Sequence, residues 1–324
     1  MFAQRFISSC IGAFGLAAGA FGQTYVQFFV GSNTSPASIN GKGEIAGFYG
    51  DSRGPRHGFV RDPGGTITTF DVPGSSSTQA LSINDEGVVA GFFTDTLGRN
   101  HAYVRDPEGN FTTFDVPGSI GTSASSINAT GAITGSYLDT NSVSHGYLRQ
   151  PWGEIVSFDP SRSINTAAGK INAKGEIADG YRDASNVSHG FLRQPWGEIV
   201  SFDPPGSTLT GVVGINNAGA ITGSYFTPRG ILGFVRDPQG NFTTFDPRSS
   251  TFPISINDKG AITGWAGANT GFVRSPTGTN TLFEPPFCMA GTTRPASIND
   301  LGVITGNCVP PGGQLASDGW VRFP

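Results

Sequence analysis

Short apolar segments alternate with glycine-containing turns along the chain, and one unit of this pattern occupies residues 81–116. Its segments at residues 81–84, 88–94, 101–105 and 111–115 are rich in Val, Ile, Phe, Tyr and Thr, which favour β-strands. Asn-Asp-Glu-Gly separates the first two segments and Asp-Pro-Glu-Gly separates the last two. Both sequences favour tight turns with glycine at positive φ. The unit therefore predicts four antiparallel strands.

The first of these turns recurs along the chain as Ile-Asn-x-x-Gly, and its copies count the repeats. They lie about 44 residues apart, which is the length of one propeller blade. The sequence thus predicts an all-β fold, a seven-bladed β-propeller of four-stranded antiparallel blades. The seven asparagines are Asn40, Asn84, Asn128, Asn172, Asn216, Asn257 and Asn299.

The two ends of the chain complement each other. The last repeat stops after a third strand at residues 319–322, whereas residues 24–29 resemble a fourth strand with no repeat before it. We expect the N-terminal strand to complete the last blade, which would close the ring and remove an open sheet edge. An open solenoid is the alternative, but it would need polar capping repeats that the sequence lacks.

The second strand of each repeat is apolar at successive positions, which predicts burial on both faces. Its central position is glycine in six repeats, such as Gly47 and Gly91, and Asp179 replaces it in the fourth. Glycine weakens a strand interior, so its recurrence predicts close approach of another backbone or ring.

Composition supports a folded, exported protein. Of the 324 residues 37% are hydrophobic and 14% are charged, and the net charge is -4, which argues against disorder. The 20 basic residues are spread through the repeats without a basic stripe, which argues against a nucleic-acid partner.

Residues 1–22 have the layout of a signal peptide, with cleavage after Ala20 or Gly22. A membrane anchor and a lipoprotein signal are the less favoured alternatives.

The predicted mature chain, residues 23–324, is one propeller domain without a membrane span. It retains two cysteines, Cys288 and Cys308, which predict a disulfide in an oxidising compartment. Two free thiols are the alternative. The topology places both cysteines at the same end of adjacent blades.

The third strands carry a further repeated signature, His-Gly-Phe or a close variant, beginning at His57, His101, His145 and His189. Together with the Ser-Ile-Asn-x-x-Gly turns, these motifs resemble the bacterial extracellular HAF repeat family over essentially the whole mature chain. Repeats five to seven lack the histidine. The resemblance implies export and a propeller-like array, but no shared activity and no catalytic residue.

The two faces of the predicted ring differ in their loops. The 1–2 and 3–4 turns are short and regular on one face, which we call the tight-turn face. The 2–3 loops and 4–1 connections on the other face, the long-loop face, are longer and more variable. Since variable loops on a rigid scaffold commonly form binding sites, we expect a ligand on the long-loop face around the channel mouth, and we expect the tight-turn face to be inert.

Four Asp–His pairs flank the 2–3 loops of the first four repeats. They offer acid–base, metal or ligand-binding chemistry, but four equivalent copies favour a structural hydrogen bond that holds each loop. We retain them as candidate ligand-binding residues and assign no catalytic residue, metal site or cofactor. The pairs are Asp51 and His57, Asp95 and His101, Asp139 and His145, and Asp183 and His189.

Two other repeated features have competing interpretations. An arginine ends all seven third strands, which suggests either an anion-binding ring or, as we favour, hydrogen bonds to turn carbonyls. Trp152 and Trp196 lie in two nearly identical Pro-Trp-Gly-Glu turns, and they suggest either a stacking surface or recent duplication.

Three functions fit these patterns. The favoured one is a secreted, monomeric binding module for a cell-envelope or extracellular glycan, peptide or protein. The second is an extracellular or periplasmic hydrolase or lyase with its site at the long-loop channel mouth, and the third is a structural surface protein. Because propellers have both binding and enzymatic roles, the fold alone does not choose between them.

Overall fold

Strands arranged in seven antiparallel sheets make up the regular structure of the protein. A computed structural model describes residues 15–18, 23–50, 54–312 and 316–324. These residues contain strands, turns and loops, and no helix. The described part of the chain accordingly has no helix that is long and apolar enough to cross a membrane.

The seven sheets are the seven predicted blades. Blades 1 and 2 comprise β3 (Ser35–Ile39), β4 (Ile45–Gly50), β5 (Arg56–Arg61), β6 (Ile67–Phe70), β7 (Ser77–Ile83), β8 (Val89–Thr94), β9 (Asn100–Arg105) and β10 (Phe111–Phe114). Blades 3 and 4 comprise β11 (Gly121–Ile127), β12 (Ile133–Leu138), β13 (Ser144–Arg149), β14 (Ile155–Phe158), β15 (Ser163–Thr166), β16 (Lys170–Ile171), β17 (Ile177–Asp183), β18 (Ser188–Arg193) and β19 (Ile199–Phe202). Blades 5 and 6 comprise β20 (Leu209–Ile215), β21 (Ile221–Thr227), β22 (Gly230–Arg236), β23 (Phe242–Phe245), β24 (Thr251–Ile256), β25 (Ile262–Ala266), β26 (Thr270–Arg274) and β27 (Asn280–Phe283).

Blade 7 joins the two ends of the chain, as the sequence predicts. It contains β28 (Arg294–Ile298), β29 (Ile304–Cys308), β30 (Asp318–Phe323) and, as its fourth strand, β2 (Thr24–Phe28). The register of β2 on β30 runs from Thr24 opposite Phe323 to Phe28 opposite Gly319. An additional strand, β1 (Gly15–Ala18), pairs with the outer edge of β2. The remainder of the predicted signal peptide lies outside the described residues.

The core lies between adjacent blades and is formed mainly by their second and third strands. Ile45, Ile133, Ile177 and Ile221 are fully buried at equivalent positions, as predicted. The mid-strand glycines explain how closely the strands pack: a Cβ built on Gly91 would overlap the carbonyl oxygen of Gln79 in the first strand. Glycine at this position therefore allows the first and second strands to pair.

The third-strand arginines join the blades, in agreement with the structural interpretation. Each guanidinium lies 4.7–5.2 Å from the centre of a Phe ring in the fourth strand of the preceding blade. Arg61 and Arg105 also donate hydrogen bonds to the carbonyl oxygen of the next residue, at 3.0 and 3.2 Å. The guanidinium thus makes a cation–π contact with the preceding blade and a hydrogen bond to a carbonyl oxygen of its own turn.

Candidate functional site

The four histidines lie at the start of the third strand in blades 1 to 4, on the long-loop face. Each ring packs on an aromatic side chain of the second strand, with centroids 5.1–5.2 Å apart. Each Nδ1 lies 2.7–2.8 Å from a carboxylate oxygen of the aspartate that follows the fourth strand. Those partners are Asp71, Asp115, Asp159 and Asp203.

The predicted loop aspartates are the more distant partners of these histidines. Nε2 of His101, His145 and His189 lies 3.4, 3.7 and 3.4 Å from a carboxylate oxygen of Asp95, Asp139 and Asp183, respectively. Asp51, the predicted partner of His57, lies outside the described residues. Sequence reasoning missed the closer aspartates, although each one stands fourteen residues after its histidine in a repeated Phe-Asp pair.

The loop aspartates principally stabilise their own loops. Asp95 Oδ1 accepts the backbone N–H groups of Leu97 and Arg99, each at 2.8 Å. The hydrogen bond from the Arg99 backbone, with weaker contributions from His101, lowers the pKa of Asp95. Asp139 and Asp183 make equivalent bonds, and their pKa values are lowered by the same cause.

The electrostatics of the histidines suit a structural role. Burial opposes protonation of His101, but the hydrogen bonds and charges of Asp115 and Asp95 outweigh it and raise the pKa. The pKa values of His145 and His189 are raised by equivalent aspartate pairs against the same opposing burial. With a carboxylate near each ring nitrogen, these side chains are disposed to hold protons, whereas a metal ligand or general base needs a free lone pair. Within the described ranges no group of three His, Cys, Asp or Glu side chains could hold a metal ion.

A cavity on the long-loop face lies between blades 2 and 3 and has a volume of about 290 Å³. Its polar lining includes Arg99, Asn100 and Ser144, and its apolar lining includes Ile120 and Leu138. A second cavity on this face, of about 270 Å³, lies between blades 6 and 7. Its lining includes Arg294 and Asn307, together with Cys308, which forms the predicted disulfide with Cys288 at a Cα–Cα distance of 5.7 Å.

The propeller axis carries a cavity that the sequence did not lead us to expect. It measures about 230 Å³ and is lined by residues from all seven Ile-Asn turns, on the tight-turn face that we predicted to be inert. Around it each turn asparagine donates from Nδ2 to the backbone carbonyl of the equivalent asparagine in the next blade, at 2.8–3.3 Å. The final bond, from Asn299 to Asn40, closes a ring of hydrogen bonds around the axis.

Blade 4 breaks the regularity of the ring. In the other six blades the pairing of the first strand with the second shifts by one residue, as in a β-bulge, at an equivalent position. In blade 4 the first strand is instead divided into β15 and β16. Asp179 stands in β17 at the position of the mid-strand glycine, and its carboxylate lies so close to Gly169, between β15 and β16, that a Cβ on Gly169 would overlap it. Its Oδ1 accepts the backbone N–H of Gly180 at 2.6 Å, and burial raises its pKa to about 6.

Comparison with solved structures confirms the propeller fold. The chain is similar to a streptogramin B lyase, with 15% identity over 93% of this chain and 98% of that one and a TM-score of 0.65. A catalytically inactive virginiamycin B lyase from Staphylococcus aureus with quinupristin gives 15% identity, coverage of 93% and 99%, and a TM-score of 0.64. TolB from Acinetobacter baumannii gives 15% identity, coverage of 68% and 59%, and a TM-score of 0.51.

These likenesses concern the fold alone, because the identities are low and propellers have many functions. No protein-family model matches the chain. No curated protein sequence matches it either.

Proposed function

We propose that this protein is an exported propeller that binds an extracellular or cell-envelope peptide or protein segment on its long-loop face. Export is supported by the signal-like N-terminus, by the Cys288–Cys308 disulfide and by the resemblance to HAF repeats. The cavity between blades 2 and 3 is the proposed centre of the binding surface.

The exposed aliphatic side chains beside this cavity are the observation that carries the proposal. Ile120 and Leu138 line the cavity and are 42% and 40% exposed, and Leu97, next to the cavity-lining Gly98, is 79% exposed. Exposed apolar groups grouped at a concave, partly polar surface mark interaction sites. Arg99 adds a cationic group that fits a carboxylate of the partner.

The other ligands and functions have less support. A glycan site would favour aromatic stacking platforms, and the exposed tryptophans Trp152 and Trp196 are in 3–4 turns on the opposite face. A hydrolase or lyase needs an asymmetric reactive cluster, whereas His101, His145 and His189 repeat one arrangement in which both ring nitrogens face carboxylates. A structural surface protein would not require the cavity.

Selection from a displayed peptide library, in parallel with a glycan array, tests the proposal. We expect the protein to select peptides with apolar and acidic residues. The double variant Leu97→Asp with Leu138→Asp should weaken their binding about tenfold or more, as expected when about 1.4 kcal/mol of contact energy is lost.

Leu301→Asp is the matched control, because Leu301 is 64% exposed but lies on the tight-turn face. It should bind the selected peptides as the unmodified protein does. Binding to glycans without peptides, or peptide binding that the double variant leaves intact, would contradict the proposal.

A further inference from the structure

A second cavity on the propeller axis contains one lysine in a ring of serines. It has a volume of about 140 Å³ and adjoins the asparagine-lined cavity, with which it shares Ile171, Ile215 and Ile256. The residue two positions before the turn asparagine lines it in every blade. This residue is serine in five blades, Gly214 in blade 5 and Lys170 in blade 4. The serines are Ser38, Ser82, Ser126, Ser255 and Ser297.

Lys170 is the one charged residue among those that line this cavity. Within the described residues Lys170 Nζ has no hydrogen bond and no carboxylate oxygen within 4.0 Å. Its side chain is exposed to the channel. The protein around the channel lowers the pKa of the ammonium group, and the charge of Asp179 only partly offsets the effect. An anion beside the ammonium group would favour its charged form.

The serines supply hydrogen-bond donors around the same space. The hydroxyl oxygens of Ser38, Ser82 and Ser255 accept the backbone N–H groups of Ile83, Ile127 and Ile298 in the next blades, at 3.4, 3.2 and 3.4 Å. A hydroxyl that accepts such a bond keeps its own proton to donate. In the described part of the chain no acceptor takes these protons, so they are available to a ligand in the channel.

We propose that the axial channel binds one small oxyanion, such as sulfate, phosphate or a short carboxylate, between the Lys170 ammonium and the serine hydroxyls. The cavity has room for a few water molecules or one such ion. Among the described residues no carboxylate lines this cavity, and the nearest on the axis are Asp85, Asp258 and Asp300 in the adjoining cavity. This site is independent of the proposed peptide-binding surface, which lies between two blades on the opposite face.

Thermal unfolding of the purified full chain tests the site. The unfolding midpoint is measured in sulfate, phosphate or acetate and compared with the midpoint in chloride at the same ionic strength. We expect at least one of these anions to raise the unfolding midpoint by several degrees, because a ligand that binds only the folded state stabilises it. Titration calorimetry should then give one anion per chain. Lys170→Ser, which restores the serine of the other blades, should abolish both effects, and Lys170→Arg should retain them in part.

Lys174→Ser is the matched control, since Lys174 lies in the exposed turn of the same blade. It should respond to anions as the unmodified protein does. If Lys170→Ser fails to fold, Lys170→Met removes the charge at similar length and should also abolish the calorimetric signal. The proposal is wrong if no anion binds the unmodified protein, or if binding persists without the positive charge at position 170.

Discussion

Each turn asparagine has two roles, one local and one between blades. Asn128 Oδ1 accepts the backbone N–H of Ala132 at 2.9 Å, which shapes the turn, and Nδ2 donates to the carbonyl of Asn172 in the next blade at 3.0 Å. The Asn128 side chain is buried, so bulk water cannot replace these hydrogen bonds. The repeated Ile-Asn motif therefore forms the turn and joins the blades with the same side chain.

Asn128→Ala should destabilise the protein by about 2–3 kcal/mol, because it leaves the buried N–H of Ala132 without its acceptor and removes one of the two hydrogen bonds that the Asn172 carbonyl accepts. Asn128→Asp should cost at least as much, since it preserves the acceptor but sets a carboxylate against the Asn172 carbonyl. The measurement is urea unfolding at neutral pH. Asn110→Ala removes a single solvent-exposed hydrogen bond, to Asp106, and should cost much less, about 0.5 kcal/mol. Equal effects at both positions would contradict the role of the ring.

The partly buried carboxyl of Asp179 should make stability depend on pH in an unusual direction. Its pKa is raised from 3.8 to about 6 by burial, so the folded state binds this proton more tightly than the unfolded state does. Stability should therefore fall as the pH rises from about 4 to about 6. At 1.36 kcal/mol per pKa unit, the loss is up to about 3 kcal/mol.

Unfolding free energies of the unmodified protein and Asp179→Asn, measured from pH 4 to 7, isolate this effect. The asparagine variant should become relatively more stable as the pH rises. Asp106→Asn is the control, because a hydrogen bond from the Asn110 side chain lowers the pKa of Asp106, so this carboxyl titrates below the measured range and its difference from the unmodified protein should stay nearly constant. A constant difference between Asp179→Asn and the unmodified protein would show that this carboxyl titrates normally.

The second strand of each blade depends on a residue without a side chain at its centre. Gly91 faces the Gln79 carbonyl and the Tyr103 hydroxyl, so that a methyl group there would force the first strand away. Blade 4 shows one response to a side chain at this position: its first strand divides, and the residues between β15 and β16 leave the ladder. The division of the first strand thus coincides with the replacement of this glycine by Asp179.

Gly91→Ala should cost about 1–3 kcal/mol, the range for overpacking a tight interior. Gly121→Ala is the matched control, since Gly121 is also in a strand, but a Cβ there would meet no atom closer than 3.7 Å. The control should be neutral or slightly stabilising. Chemical unfolding of both variants provides the comparison, and a Gly91→Ala protein as stable as the control would refute the close-packing argument.

Closure of the ring rests on β2, which comes from the opposite end of the chain to the rest of blade 7. The Phe28 ring is buried between the blades, packs edge-on against Phe59 with centroids 6.1 Å apart, and lies under the Arg61 guanidinium. It therefore links blade 7 to blade 1 at the point where the chain begins and ends. Loss of this contact should affect the whole ring, because every blade packs on two neighbours.

Phe28→Ala should destabilise the protein by about 3–5 kcal/mol and lower its thermal midpoint. Phe29→Ala tests the adjacent side chain, which is 42% exposed, and should cost less than about 1 kcal/mol. Calorimetry measures both midpoints, and size-exclusion chromatography reports whether an opened edge causes association. Similar midpoints for the two variants would mean that β2 does not hold the ring closed.

The sequence by itself was sufficient to predict the blade count, the strand order, the closing strand and the disulfide. These features follow from the period of the turns, the apolar strands and the presence of one pair of cysteines, Cys288 and Cys308, in the predicted mature chain. The predicted mid-strand close approach was confirmed for the same reason, because a repeated glycine records a local steric demand. The signal peptide and the ligand-binding role of the Asp–His pairs stay predictions.

Only the tertiary structure decided which side chains meet across blades. The closer partners of the histidines, the hydrogen-bonded asparagine ring and the serine ring around Lys170 all join residues from different strands or blades. A repeat shows that such residues are equivalent, but not that they converge on one axis, since convergence depends on how the blades close. That closure creates the axial cavities, and it sets Lys170 of blade 4 among the serines of the other blades at the centre of the molecule.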